Sequence, residues 1–283
     1  SPAAAIEVLQ QGVQQLVRNV NGRRLLPAIG LGTPGLVDIH SGVIKLAADL
    51  GWADVPFASM VEQRLGMKAY IANRSKVGAL AELWYGAGKG LRDLIYISIG
   101  TGVSAGIIHE GKLYLGANSS AGELGHMTVL PDGPLCPCGN HGCLQQLVSE
   151  EAVARSARRR LRRHTDSALR RLAGHHPEVI TAQHVFTAAE QGDALALEVV
   201  AETASYLGIA VANLINLFNP ELILLGGPVG QASQDLADAI QREVRLRALS
   251  YPLSAVRILR SSLGSEAGAV GASALVLQHA GQL

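Results

Sequence analysis

The chain of 283 residues contains only three cysteines, all of them between positions 136 and 143. An odd count in so short a stretch argues against the disulfide framework that staples small secreted domains. Aromatic residues make up 4% of the chain and charged residues 17%, with a formal net charge of +1. That balance gives no global electrostatic pull toward nucleic acid. No uninterrupted apolar run is long enough to span a bilayer, so no membrane partner is expected. The first residues, Ser1-Pro2-Ala3-Ala4-Ala5-Ile6-Glu7, lack a basic segment followed by an apolar one, so no signal peptide is read and a cytoplasmic location is expected.

What is present is core-forming material and glycine. With 48% hydrophobic residues the chain can fill one large domain or two lobes. Its 32 glycines exceed the usual share of roughly 7% and concentrate in loops that follow apolar runs. Residues 6–20 have helical periodicity, with Ile6, Leu9, Val13, Leu16 and Val17 on one face. A buried strand at 28–32 closes at Thr33-Pro34-Gly35, and 77–85 reads as a helix ending at Gly86. Residues 94–99 are strongly β-prone, broken by Gly100-Thr101-Gly102, and a second strand at 103–109 turns at Glu110-Gly111. A polar helix is expected over 150–171, with Arg155, Arg158, Arg159, Arg160, Arg162 and Arg163 clustered on it. Helices are further expected over 194–218, over 234–247 and after Gly264, with a strand at 222–225 running into Gly226-Gly227-Pro228. Strands alternating with helices indicate an α/β fold.

The chemistry-bearing cluster is His126 with Cys136, Cys138 and Cys143. One imidazole and three thiolates form a common closed, structural zinc set, and Gly139 and Gly142 allow the chain to curl around one ion. The alternative is three reduced thiols packed as small hydrophobes, for which a polar glycine-rich loop is a poor setting. His141 could compete for the fourth place, but the tight turn should point it outward. Gly100-Thr101-Gly102 and Gly226-Gly227 each follow a strand, where open α/β sheets place ligands and where backbone N–H groups can meet phosphates. Turn glycines without a role would look the same. Glu123, three residues before His126, would be held rigidly by a metal-anchored loop and suits sugar hydroxyls, although a lone Glu near a turn is also commonly a solvated face.

These residues resemble the ROK family of repressors, open reading frames and sugar kinases. The resemblance rests on Gly100-Thr101-Gly102-Val103-Ser104-Ala105-Gly106-Ile107, on Gly122-Glu123-Leu124-Gly125-His126 and on the Cys-x-Cys-Gly-x-x-Gly-Cys-Leu segment. Pro34-Gly35-Leu36-Val37-Asp38, Gly51-Trp52, Glu82, Asn219-Pro220-Glu221 and 264–268 follow as landmarks in order. The resemblance implies a two-lobed actin-like (ribonuclease H-like) ATPase fold with a sugar site in the cleft, structural Zn2+, and homodimers or homotetramers. On that basis residues 1–88 form the amino-terminal lobe, completed by a helix over 265–283. Residues 89–264 form the second lobe, with the zinc loop and the dimerisation surface.

Three departures bear on activity. Kinase members carry Asn-Asp-Ala-Asn where this chain has Asn73-Arg74-Ser75-Lys76, so Arg74 stands at the position of the Asp that takes the sugar proton. A guanidinium stays protonated and cannot serve as that base, a loss worth roughly 10²–10⁴-fold. The Asp-x-Gly-Gly-Thr hairpin of the first strands is not found, so the amino-terminal lobe is expected to lack its first strands. Gln145 replaces the usual Glu after Gly-Cys-Leu. Together these imply a non-enzyme: the sugar-effector and oligomerisation body of a transcriptional repressor. DNA contact would come only through a winged helix-turn-helix upstream, and the ATP-dependent sugar kinase is the alternative. Asn73, Glu123, His126 and Gln145 are the expected contacts to a sugar or sugar phosphate, and the two glycine turns are expected remnants of phosphate loops. The arginine-rich helix is read as a solvated face or an oligomer contact rather than a DNA-binding element.

Overall fold

A computed structural model describes residues 1–19, 25–162, 166–174 and 176–281. Val20, Arg163 and residues 282–283, which the expected helices included, lie outside the described residues.

The first half contains α1 (Pro2–Arg18), β1 (Ala28–Thr33), β2 (Leu36–Asp38), β3 (Val43–Ala47), β4 (Trp52–Val55), α2 (Phe57–Leu65), β5 (Lys68–Asn73) and α3 (Arg74–Tyr85). β1 and β5 pair in parallel and in register from Ala28 with Lys68 to Thr33 with Asn73, so Thr33 and Asn73 end side by side. β2, β3 and β4 form a separate antiparallel sheet. These short strands, with α2, were not expected from the sequence: Asp, Gly and Lys interrupt their alternation, and neighbouring strands rather than local propensity define them.

The second half supplies β6 (Leu94–Ile99), β7 (Val103–His109), β8 (Lys112–Leu113), α4 (Gln145–Val148), α5 (Glu150–Leu161), α6 (Ala168–Leu172) and α7 (Ala182–Glu190). It continues with α8 (Ala194–Phe218), β9 (Leu222–Gly226), α9 (Gly227–Gly230), α10 (Gln234–Arg245), α11 (Ser250–Ala255), β10 (Arg257–Arg260) and α12 (Ala267–His279). One mixed sheet runs β10-β9-β6-β7-β8, with β6 parallel to β9 and antiparallel to β7. Strand β9 is buried at all five residues, as a central parallel strand covered on both faces should be.

The helix expected over 150–171 is two helices. Ser149 caps the first, accepting from the Ala152 N–H, and Ser167 caps the second, accepting from the Leu169 N–H. The arginines of α5 are largely engaged within the chain. Arg160 pairs with Glu198 and Glu202 of α8 at 3.0 Å each, Arg158 donates to the Ile180 carbonyl at 2.6 Å, and Arg155 donates to the Gln146 carbonyl at 2.6 Å. Their clustering fastens α5 to its neighbours rather than forming a free basic face. Helix α8 is long and apolar enough to cross a membrane, but most of its apolar window is buried in the protein, and Leu195, Val199, Leu207, Val211 and Ile215 belong to the core of the second half.

Helices α3 and α12 cross in close contact where the two halves meet. Ala72, Val77, Leu80 and Leu83 share one buried cluster with Tyr96, Leu224, Ala274 and Leu275. Glycines permit this approach. A Cβ on Gly271 would lie 1.7 Å from the Val77 carbonyl oxygen, and one on Gly30 would lie 1.9 Å from that of Ala272. The buried Glu82 clamps the same junction. Its carboxylate accepts from the Ser261 and Ser262 hydroxyls, from the Ser262 N–H at 2.9 Å and from the Ala87 N–H at 3.0 Å.

Candidate active site and metal centre

The carboxyl ends of β5, β6 and β9 build the site. Asn73 ends β5 and caps α3: its Oδ1 accepts from the Ser75 N–H at 2.9 Å and from the Ser75 hydroxyl at 2.7 Å, while its Nδ2 donates to the Gly35 carbonyl at 2.7 Å. Asn73 therefore fixes the Pro34-Gly35 turn against the start of α3. Gly35 has φ of 84°, and a Cβ there would strike the Leu46 carbonyl oxygen at 2.1 Å. Only glycine fits that turn.

The two glycine turns come together. Ser98 of β6 is in register with Gly226 of β9, so 100–102 and 226–227 emerge from neighbouring strand ends. The Gly100 N–H donates to the Gly102 carbonyl at 2.9 Å, closing the β6–β7 turn. Gly227 has φ of 76°, and a Cβ there would meet the Ile99 carbonyl oxygen at 2.5 Å.

Glu123 lies in the segment that runs along β7. The Ala105 N–H donates to the Gly122 carbonyl at 2.7 Å, and a Cβ on Gly125 would come within 2.3 Å of the Val103 carbonyl oxygen. The half-buried Glu123 carboxylate makes no side-chain hydrogen bond among the described residues. Burial raises its pKa, and the nearby Lys76 and His126 oppose that rise. Lys76 is a residue whose position in the site the sequence alone did not reveal. It is 4% exposed, its Nζ donates to the Ala121 carbonyl at 2.9 Å, and burial lowers its pKa against the opposing pull of Glu123. The only signal was its place, two residues after Arg74, in the altered Asn-Asp-Ala-Asn motif. Arg74 itself is exposed at the first turn of α3 and forms no ion pair among the described residues, and its charge is felt by Tyr96 of β6.

The metal-ligating side chains converge as expected. One donor atom from each of His126, Cys136, Cys138 and Cys143 lies within 4.8 Å of all the others. Cys136 Sγ is 3.7 Å from His126 Nδ1, and Cys138 Sγ is 3.7 Å from Cys143 Sγ. A Zn–S bond near 2.3 Å places tetrahedral ligand atoms roughly 3.7 Å apart, so the donor set fits such an ion. The loop is shaped for it. The Cys136 N–H donates to the Asn140 carbonyl at 2.7 Å, the Gly139 N–H donates back to the Cys136 carbonyl, and a Cβ on Gly142 would fall 1.6 Å from the Leu130 carbonyl oxygen. His141 turns outward, with Nδ1 3.2 Å from the Gly133 carbonyl oxygen.

The thiols are unequal. Burial resists ionisation of Cys136, yet hydrogen bonds from the Cys138 backbone and thiol, Gln145 and Cys143 bring it down to about 6. Burial first, and then its cysteine neighbours, push Cys143 up to about 12. Gln145 joins the two parts of the site. Its Nε2 donates to Cys136 Sγ at 3.3 Å, while its Oε1 lies 3.1 Å from where a Cβ on Gly125 would sit. The amide replacing the expected Glu therefore serves a thiolate with its nitrogen and faces the Glu123 segment with its oxygen.

Residues 1–279 match the ROK family. A glucokinase from Halalkalibacterium halodurans is 39% identical over 255 residues, spanning 90% of this chain and 77% of that protein. A xylose repressor from Caldicellulosiruptor bescii is 32% identical, spanning 96% of this chain and 67% of its own. Among solved structures, a ROK family glucokinase from Streptomyces griseus in complex with glucose and AMPPNP superposes with a TM-score of 0.85 at 33% identity, covering 95% of this chain and 87% of that one. A ROK family transcriptional regulator homologous to the E. coli MLC protein also gives 0.85, at 30% identity, covering 97% and 68%. The expected actin-like ATPase fold is thereby shown. The expectation of a non-enzyme is overturned, because glucokinases match at 31–39% identity across nine-tenths or more of the chain. Arg74 speaks only to one proton acceptor, whereas the whole body follows the kinases as closely as the repressors. The chain is a member of the ROK family.

Proposed function

We propose that this chain is the body of a ROK sugar kinase that binds a hexose at Glu123 and places it against the paired glycine turns. The observation carrying this reading is the Glu123 carboxylate, half-buried and without an internal donor, beside Gly100-Thr101-Gly102 and Gly226-Gly227. A carboxylate left open in a cleft accepts from sugar hydroxyls. The backbone N–H groups of the two turns are suited to the phosphates of ATP. Asn73 and Gln145 shape the sugar side, one through the Gly35 turn and the other through Gly125. His126, Cys136, Cys138 and Cys143 would hold a structural zinc ion that keeps the Glu123 segment rigid. Its contribution is mechanical, and no reaction step passes through it. We assign residues 1–88 with 265–283 to one lobe and 89–264 to the other, and expect dimers or tetramers.

Arg74 cannot accept the sugar proton. Phosphoryl transfer here therefore rests on positioning, and its rate should lie about 10²–10⁴-fold below the ordinary 1–100 s⁻¹. Glucose-dependent ADP release by the full-length protein tests this. Slow release that Arg74→Asp accelerates at least tenfold supports the kinase reading. No glucose-dependent ADP from either form overturns it.

A second reading, the sugar-responsive body of a transcriptional repressor, is favoured by Arg74 and by the similarity to xylose repressors. It requires a DNA-binding module elsewhere in the protein and sugar-dependent release from an operator, and it does not exclude residual turnover.

A further inference from the structure

The reading of this cleft as a sugar site leaves its charge unexplained. Two cations, Arg74 and Lys76, flank the start of α3, against one carboxylate, Glu123. The Lys76 ammonium is almost wholly buried, yet it has one acceptor, the Ala121 carbonyl, for its three N–H groups. No carboxylate lies within ion-pairing distance of it among the described residues. A buried ammonium satisfied by a single carbonyl is costly unless an anion completes it. Arg74 adds an unpaired, planar guanidinium on the Tyr96 side of the same helix end. That side faces the second glycine turn, since a Cβ on Gly226 would sit 2.3 Å from the Tyr96 hydroxyl. The open, positive end of a twelve-residue helix lies between the two side chains.

We infer that the cleft recognises a sugar carrying a phosphate in preference to the neutral sugar, with Arg74 and Lys76 as the residues that set this specificity. Glu123 accepts from the sugar hydroxyls, while the guanidinium offers the fork that matches phosphate oxygens and Lys76 supplies a point charge from the Glu123 side. An Asp at position 74 would repel the same ligand. In a kinase this device retains the phosphorylated product, and in a regulator it senses it.

The inference rests on the sugar-site reading, and calorimetric titration of the full-length protein separates the two. The probes are glucose, glucose 6-phosphate and inorganic phosphate at fixed ionic strength. Glucose 6-phosphate should bind at least about tenfold more tightly than glucose, and inorganic phosphate more weakly than either. Arg74→Asp, at an exposed position, should abolish or reverse the preference, and Lys76→Asn should reduce it. Equal affinity for the two sugars in the unaltered protein overturns the specificity inference and leaves the sugar site standing. Inorganic phosphate binding as tightly as glucose 6-phosphate would reduce the site to an anion pocket and also overturn it. Failure of both sugars to bind overturns both readings.

Discussion

Single residues decide what this cleft can do. Arg74 removes a proton acceptor from a body otherwise built like the sugar kinases, and the sequence displayed that change plainly. It did not display what Lys76 does, because a lysine at the start of a helix is usually a solvated charge. Only the fold brings its Nζ to the Ala121 carbonyl beside Glu123. Gln145 was legible as a departure from the family pattern, but its bond to Cys136 Sγ depends on two segments folding against each other. That bond links metal and cleft. Cys136→Ser or Cys138→Ser should release about one zinc per chain, measured by elemental mass spectrometry, and lower affinity for the bound sugar together. Zinc loss with unchanged sugar affinity would make the metal loop and the pocket independent.

At the level of elements, the strongly periodic and strongly β-prone segments were legible: α8, β6, β7 and β9 lie where patterning put them. The small antiparallel sheet β2-β3-β4 was not, since its strands are three to five residues long and take their definition from each other. The arginines of α5 were visible as a charge cluster, but their carboxylate partners on α8 lie dozens of residues away. The α3–α12 crossing was equally hidden, because glycines in an apolar helix do not announce which backbone they admit. Gly271→Ala tests that crossing. With the Val77 carbonyl 1.7 Å from the added methyl, the helices must separate, at a cost of about 1–3 kcal/mol. A lower denaturant midpoint at unchanged slope is expected, and an unchanged midpoint would show that the junction yields freely.

Across the whole molecule, two strand layers and a shared helix pair bring five distant segments to one cleft: the Gly35 turn, the start of α3, the Glu123 loop and the two glycine turns. The sequence motifs named most of these segments. It did not reveal the charge balance they create together, because that balance arises from neighbours in space. The central claim is that Glu123 is the sugar acceptor of this cleft, and thermal unfolding of the full-length protein with and without glucose and glucose 6-phosphate tests it directly. Millimolar sugar should raise the melting temperature of the unaltered protein, through binding to the folded state alone. Glu123→Ala should lose that rise while melting within a few degrees of the unaltered protein when no sugar is present. A full sugar-dependent rise in Glu123→Ala would contradict the account.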